Sequence, residues 1–521
     1  MADVLRPLDL ALIALYLVGI VWKGIAVGRR HRTAEDFFLA GRNVVWPLIG
    51  VSLFASNISS TTLVGLAGDA YATGISVFNY EWMAAIVLVF AGVVFLPQLL
   101  RSGVATLPEF LGRRYDAVAR RYFTGLTLFL NIVVDTAGSL YAGALMLRLL
   151  FPALSMTEIV VGLTVVSGLY TAVGGLKAVI HTDAIQTVLL LIGSVFIAVT
   201  ALLKVGGWSE LTAAVDPARL SLVRPVGDPG VPWPGLLTGV PLLGFYFWCT
   251  NQFMAQRFLA ARDLTHARRG ALLAGFLKLP VLFLMVLPGT AAIVLFPDLD
   301  TPDLVYPTLL TELLPTGLLG LVVAGFLAAL MSQIDSTLNS AATLVTMDIV
   351  KPRRPDWEPA KLLRAGRIAT LGFMVLAALW APQISRFSSL FKYLQAVLSY
   401  TVPPVLALYL LGLFWRRANA RGARWCLIGG VTAGAALFVS NQALGWTDLH
   451  FLYVAPLLTV LSAGLLVVGS LAGPPPSAEA MALAWSGPDR SVDTGRPWYA
   501  RFGWQSAGLL ALTAVLVIAF A

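Results

Sequence analysis

Long apolar runs alternate with short polar loops along nearly the whole chain. A hydrocarbon core about 30 Å thick needs roughly 20 residues of helix per crossing. Runs of that length lie near 8–27, 46–70, 77–100, 122–150, 157–175, 181–203, 233–256, 270–296, 310–346, 363–381, 386–414, 423–441, 449–471 and 501–521. They predict an all-α polytopic membrane protein with about 14 transmembrane helices. No cleavage-site pattern follows the first run, so 8–27 is expected to be a retained span and not a signal peptide. The polar stretches near 204–232 and 474–500 are too short to build a soluble core.

Several runs carry polar groups in the wrong solvent. The run 310–346 holds Ser332, Gln333, Asp335, Ser336, Thr337, Asn339 and Ser340. A carboxylate at bilayer depth costs roughly 2.5–3.5 kcal/mol on insertion scales, so this cluster points to a water-accessible ion or substrate site. The second run contains Ser52-Leu-Phe-Ala-Ser-Asn-Ile-Ser-Ser-Thr-Thr62, then Gly65 and Gly68. That density suits a helix broken in mid-membrane, or else a close helix–helix contact. Glu81 opens the third run, either as an intramembrane acid or as a solvated interfacial one. Lys278 lies well inside the eighth, and a buried lysine beside a buried glutamate would grip hydroxyls through charge-assisted hydrogen bonds. Asp183 stands at the start of the sixth run, as a site residue or as a helix cap with Thr182. Gln395 and the cluster Phe245-Tyr-Phe-Trp248 are further candidates.

Composition sharpens this. Of 521 residues, 58% are hydrophobic and 12% charged, against roughly 25% charged in soluble domains. The net charge of +9 does not imply nucleic-acid binding. Its arginines sit in short loops after alternate spans: Arg29, Arg30, Arg32 and Arg42; Arg101, Arg113, Arg114, Arg120 and Arg121; Arg257, Arg262, Arg268 and Arg269; Lys351 to Arg367; and Arg416 to Arg424. The other loops are poor in base, as in Pro297-Asp-Leu-Asp-Thr-Pro-Asp303. With an even span count, both termini fall outside the cytoplasm. Cys249 and Cys426 sit in apolar runs and imply no disulfide or cysteine metal site. The four histidines are scattered, and no nucleophile motif appears, so an enzyme is not expected.

In order, the motifs are Leu53-Phe-Ala-Ser-Asn-Ile-Ser59, Tyr80-Glu-Trp-Met83, Leu107-Pro-Glu-Phe110, Tyr170-Thr-Ala-Val-Gly-Gly-Leu176 with Thr182-Asp183 and Gln186, Trp248-Cys-Thr-Asn-Gln252 with Gln256-Arg257, Phe276-Leu-Lys-Leu279, Leu338-Asn-Ser340 with Thr346-Met-Asp348, and Leu411-Gly-Leu-Phe-Trp415. From about residue 9 to 415 the chain resembles the sodium/solute symporters, most of all their sodium/glucose cotransporter branch. That resemblance implies a LeuT-like core of two inverted five-helix repeats, about 46–203 and 233–414. An extra helix at 8–27 would precede the core and three helices in 423–521 would follow it. The first helix of each repeat would be broken, the second one at 233–256, where Pro232, Pro234, Gly239, Pro241 and Gly244 occur.

The same resemblance implies a sugar site at Asn57, Thr62, Glu81, Phe247, Trp248, Lys278 and Gln395. Thr62, Gly244 and Phe247 replace hydrogen-bonding residues of the sugar-transporting members. A sodium site would use Ala55, Ile58, Ala329, Ser332 and Gln333, with Gln333 standing where a hydroxyl is expected. A second cation site would use Asp183, Ser332, Asp335 and Ser336. The expected activity is inward Na+ flow (or H+) coupled to uptake of a sugar or polyol by alternating access. The transporter would be a monomer in the lipid bilayer of the inner cell membrane. Another small solute (carboxylate, amino acid, vitamin) is the alternative. A non-transporting sensor is the weaker one, since no signalling domain follows within the sequence.

Overall fold

The computed structural model describes residues 5–28, 39–387, 389–489 and 493–521. Seventeen helices carry the argument. They are α1 (Pro7–Gly28), α2 (Trp46–Asn57), α3 (Ser60–Thr73), α4 (Ile75–Ser102), α5 (Ala117–Leu150), α6 (Met156–Val205), α7 (Trp233–Phe245), α8 (Gln252–Leu259), α9 (Leu264–Leu295), α10 (Val305–Leu313), α11 (Leu318–Arg353), α12 (Pro359–Arg386), α13 (Leu390–Thr401), α14 (Pro403–Phe414), α15 (Ala420–Gln442), α16 (Phe451–Leu471) and α17 (Phe502–Ala519). Among the described residues, nine helices are long and apolar enough to cross a membrane, or eleven if each bent pair counts as one span.

The first expected break is present. α2 and α3 meet at 57°. Ile58 leaves helical geometry (φ −82°, ψ 73°), and Ser59 is extended. Ser59 and Thr62 supply hydroxyls there, and Thr62 Oγ1 donates to the Asn57 carbonyl at 2.5 Å. A helix end leaves its last carbonyls without helical donors, and side-chain hydroxyls replace some of them.

The second break also falls within the expected 233–256, but after its prolines. Pro241 and Gly239 are accommodated inside α7. Gly239 is there for contact, because a Cβ would stand 2.3 Å from the Leu452 carbonyl of α16. The chain leaves the helix only after a π-helical turn, Tyr246–Thr250. Asn251 is extended (φ −74°, ψ 126°), and its side chain caps α8 by accepting from the Phe253 amide.

Other boundaries also need correction. The runs expected at 157–175 and 181–203 form one helical element of 50 residues; the side chains of 168–175, including most of the Tyr170–Leu176 motif, lie outside the described residues. The run 310–346 is divided at Pro315 and at Gly317, whose φ of +86° favours glycine. The run 386–414 bends by 56° before Pro403-Pro404, where a ring without an N–H cannot continue the preceding helix.

α11 is the axis of the molecule. In its most apolar stretch 89% of residues are buried, against 22% for α17 at the periphery. A helix buried all round can hold polar groups only if they pair or line a cavity.

The basic loops meet at one end. Arg101 pairs with Asp489, Arg120 with Asp348 at 2.6 Å and Arg424 with Asp116 at 2.8 Å. The opposite end joins Tyr71 to the Phe296 and Pro297 carbonyls and the Leu222 amide to the Phe520 carbonyl. Asp9 of α1 also lies there, accepting from the Gly317 and Gly320 amides. Three arginines counted as loop charges are in fact buried: Arg114, Arg257 and Arg268. Arg114 donates to the carbonyls of Gly412, Trp415 and Ala418. Arg29, Arg30 and Arg32 lie outside the described residues.

Candidate transport site

A cavity of about 130 Å³ lies where both broken helices, α4, α5, α11 and α13 converge. Asn57, Thr62, Glu81, Phe247, Trp248 and Gln395 all line it. Chain breaks put the polar groups here. Asn57 ends α2 and Thr62 opens α3, while Phe247 and Trp248 ride the π-helical turn. The two rings meet edge to face at 5.4 Å. The Asn57 Oδ1 is buried without a hydrogen-bond partner.

Lys278 is not on the wall. It lies behind Glu81, fully buried, and donates to Glu81 Oε2. Its ammonium also faces the rings of Phe54 and Trp248, at 5.7 and 5.8 Å. Lysine therefore orients and neutralises the glutamate, and one glutamate edge is left for a ligand. A charged pair at depth persists only with such mutual compensation.

The residues expected to hold cations fall in two groups. Ala55, Ile58 and Ala329 are buried at the α2 break and on α11. Gln333 reaches the cavity, and its Oε1 is buried with no hydrogen-bond partner. An orphan amide oxygen beside freed helix-end carbonyls fits a hard cation, which prefers oxygen donors. Ser332 Oγ, in contrast, donates to Asp183 Oδ1.

The second group is organised around an arginine. Arg257 of α8 is fully buried. It donates to Ser52 Oγ at 2.8 Å, Ser336 Oγ at 2.8 Å and the Phe253 carbonyl at 2.6 Å. It also donates to Ser56 Oγ and lies 3.2 Å from Asp183 Oδ2. Ser52 Oγ donates to that same carboxylate oxygen at 2.5 Å. A guanidinium thus stands where the second cation was expected. Asp183 is also no helix cap: it lies inside α6, and Thr182 Oγ1 bonds the Val179 carbonyl. Asp335 is buried on the same helix as Ser332 and Ser336. No cluster of three His, Cys, Asp or Glu side chains that could hold a metal occurs among the described residues.

The sequence model of the sodium:solute symporter family matches residues 37–430. The chain belongs to that family. Among its relatives, the sodium/glucose cotransporter 1 of Oryctolagus cuniculus is 35% identical over 536 residues, covering 92% of this chain and 81% of that protein. The sodium/myo-inositol cotransporter 2 of Oryctolagus cuniculus is 36% identical, covering 92% and 79%. The sodium/mannose cotransporter of Bos taurus is 37% identical, covering 92% and 89%. A solved Na+-coupled sialic acid symporter in a substrate-bound outward-open state superposes with a TM-score of 0.80. It is 23% identical, with 91% of this chain and 99% of that one covered, which establishes the fold alone. The family fixes the protein as a multi-pass transporter and not an enzyme, with sodium as the coupling ion.

For a sodium:solute symporter, two features of this site escaped sequence reasoning. Arg257 was read as a loop charge because it follows an apolar run, and only the break at Asn251 turns it inward. Asp135, also on the cavity wall, had a legible signal: a carboxylate within the apolar run 122–150.

Proposed function

We infer that the protein couples inward Na+ movement to uptake of a sugar or polyol by alternating access. One observation carries the solute class. The Glu81–Lys278 pair backs a cavity of about 130 Å³ whose wall also carries the amides of Asn57, Gln333 and Gln395, the hydroxyls of Ser56, Thr61 and Thr62, aromatic rings and the carboxyl of Asp135. Hydroxyl-rich rings are held by such charge-assisted bonds and by stacking faces. Relatives named for glucose, myo-inositol and mannose support the same class. A carboxylate solute is disfavoured, because the cations beside the wall are already committed, Lys278 to Glu81 and Arg257 to Asp183.

One Na+ binds at the α2 break, held by the carbonyls of Ala55, Ile58 and Ala329 with Ser332 and Gln333. Asp183 and Ser336 stay with Arg257, which supplies the positive charge of the second position. Sodium bound there joins α2 to α11 and completes the solute site beside Asn57. Electrical driving force is about 2.3 kcal/mol per charge per 100 mV. The repeats span 46–203 and 233–414, and the protein acts as a monomer in the inner cell membrane. Both termini lie outside the cytoplasm, a reading supported by their common position at the end poor in basic residues.

The test is solute uptake into proteoliposomes under imposed sodium or proton gradients, across hexoses and inositols. Uptake should follow the sodium gradient. If uptake of every solute were indifferent to sodium, the coupling assignment would fail.

A further inference from the structure

A larger, open cavity of about 770 Å³ lies at the basic end of the molecule, where α4, α9 and α17 meet. Arg268 of α9 and Arg501, just before α17, stand on its wall. Arg268 is buried, and its hydrogen-bond partners are backbone carbonyls. Its Nε donates to Gly92 at 2.8 Å and its Nη1 to Asp489 at 2.9 Å. Among the described residues nothing accepts from its Nη2. The guanidinium lies 5.0 Å from the centre of the Phe502 ring. That ring is wedged against Gly92, where a Cβ would stand 2.3 Å from Phe502 Cζ. Arg501 is exposed, and among the described residues only its Nε is bonded, to the Arg496 carbonyl at 3.1 Å.

A buried carboxyl can become neutral by taking up a proton, but a guanidinium keeps its charge at any ordinary pH. The acids on this wall do not balance it. Asp489 is paired with Arg101, and Asp493 accepts from the Phe502 amide. Arg269 and Arg496 adjoin the same wall. Among the described residues, Arg268, Arg269, Arg496 and Arg501 form no ion pair, and Asp493 is the one carboxylate left beside them. Arg114, by contrast, is bonded through Nε, Nη1 and Nη2. The surroundings indicate where an anion would come from. Val93, Phe502 and Ala507 make part of the wall apolar, and α17 is peripheral. Trp504 on the wall is 59% exposed, and Trp498 and Tyr499 are each 63% exposed. Trp498 meets Trp504 and Tyr499 edge to face, at 5.7 and 5.9 Å. Exposed indole and phenol rings at the end of a spanning helix mark headgroup depth. Basic pockets between helices at that level suit phosphate headgroups.

We propose that this cavity binds the headgroup of an anionic phospholipid, its phosphate held by Arg268 and Arg501 and its acyl chains laid along α17. The site is separate from the transport cavity and does not depend on which solute or ion is carried.

The experiment uses the full chain, delipidated in a neutral detergent. It is titrated with dioctanoylphosphatidylglycerol and with zwitterionic dioctanoylphosphatidylcholine, and bound lipid is counted by native mass spectrometry. The native protein should bind the anionic lipid at least about tenfold more tightly, the equivalent of about 1.4 kcal/mol. Arg501→Gln should remove most of that preference and leave the phosphatidylcholine affinity unchanged. Arg268→Gln should do the same. Because it also strips the bonds to Gly92 and Asp489, its unfolding temperature is measured alongside, and Arg501→Gln, on an exposed side chain, decides if it does not fold. Arg367→Gln, which removes an exposed charge from α12 at the same end, should keep the full preference. Equal affinity for the two lipids in the native protein would overturn the proposal. So would a preference unchanged in Arg501→Gln, or one lost equally in Arg367→Gln, the mark of diffuse surface charge. Glycerol 3-phosphate is the control without acyl chains. Competition by it at the lipid's own concentration would assign the site to a free phosphate and overturn the lipid.

Discussion

The ammonium of Lys278 serves its neighbour and not the solute directly, which shapes what its removal should do. Taking away one partner of a buried ion pair leaves the other charged and desolvated, a loss of about 3–5 kcal/mol. Lys278→Ala and Glu81→Ala are each expected to lose solute binding and to lower the unfolding temperature. The double variant Glu81→Gln with Lys278→Met should regain most of the stability without regaining uptake. Thermal unfolding and uptake on the same samples check both halves. Arg257 makes the same physics visible on a larger scale, since one guanidinium holds groups from α2, α6, α8 and α11. Nothing in a linear run of residues distinguishes such an arginine from a loop charge. Position relative to the membrane decides, and the break at Asn251 sets that position. Glu81, in contrast, was legible, because an acid within an apolar run is already an anomaly in a single dimension.

At the scale of elements, helices break where side chains replace backbone partners. The first break was readable because Ser56, Asn57, Ser59, Thr61 and Thr62 crowd a stretch of seven residues. The second falls within the expected 233–256, but not at Pro241 and Gly239, which look like breakers. Gly239 is instead a contact glycine, and one asparagine does the terminating. Asn251→Ala should cost about 0.5–2 kcal/mol through the lost cap, read as a lower midpoint in thermal unfolding. Asp303 caps a third element: the Leu390 amide at the start of α13 donates to both its oxygens, at 3.2 and 3.1 Å. Burial pushes its carboxyl up to about 6, with the Leu390 hydrogen bond opposing. The fold therefore favours the neutral acid. That contribution is complete below the ordinary value of 3.8 and is lost as pH rises through about 6. The unfolding temperature of the native protein should fall relative to Asp303→Asn over that window, in paired melting curves.

For the molecule as a whole, the alternation of basic and base-poor loops anticipated how the two ends are built. The ion pairs Arg101–Asp489, Arg120–Asp348 and Arg424–Asp116 gather the basic loops at one end, as the charge pattern required. The bent pairs and the long α6 blurred the count, since composition shows how much helix is present but not where it turns. On the proposal that Arg257 fills the second cation position, sodium activation of uptake should be hyperbolic, with a Hill coefficient of about 1. A coefficient near 2 in sodium titrations of uptake would mean that the guanidinium yields its place to an ion.

The packing of Gly239 on the Leu452 carbonyl also sets an order of events during biosynthesis. α7 is made and inserted early, yet the surface it rests on leaves the ribosome only roughly two hundred residues later. Until then the cavity lacks a settled wall. A chain interrupted before α16 should therefore reach the membrane with its crossings in place but no ability to bind solute, and should present an unfinished face to quality-control proteases.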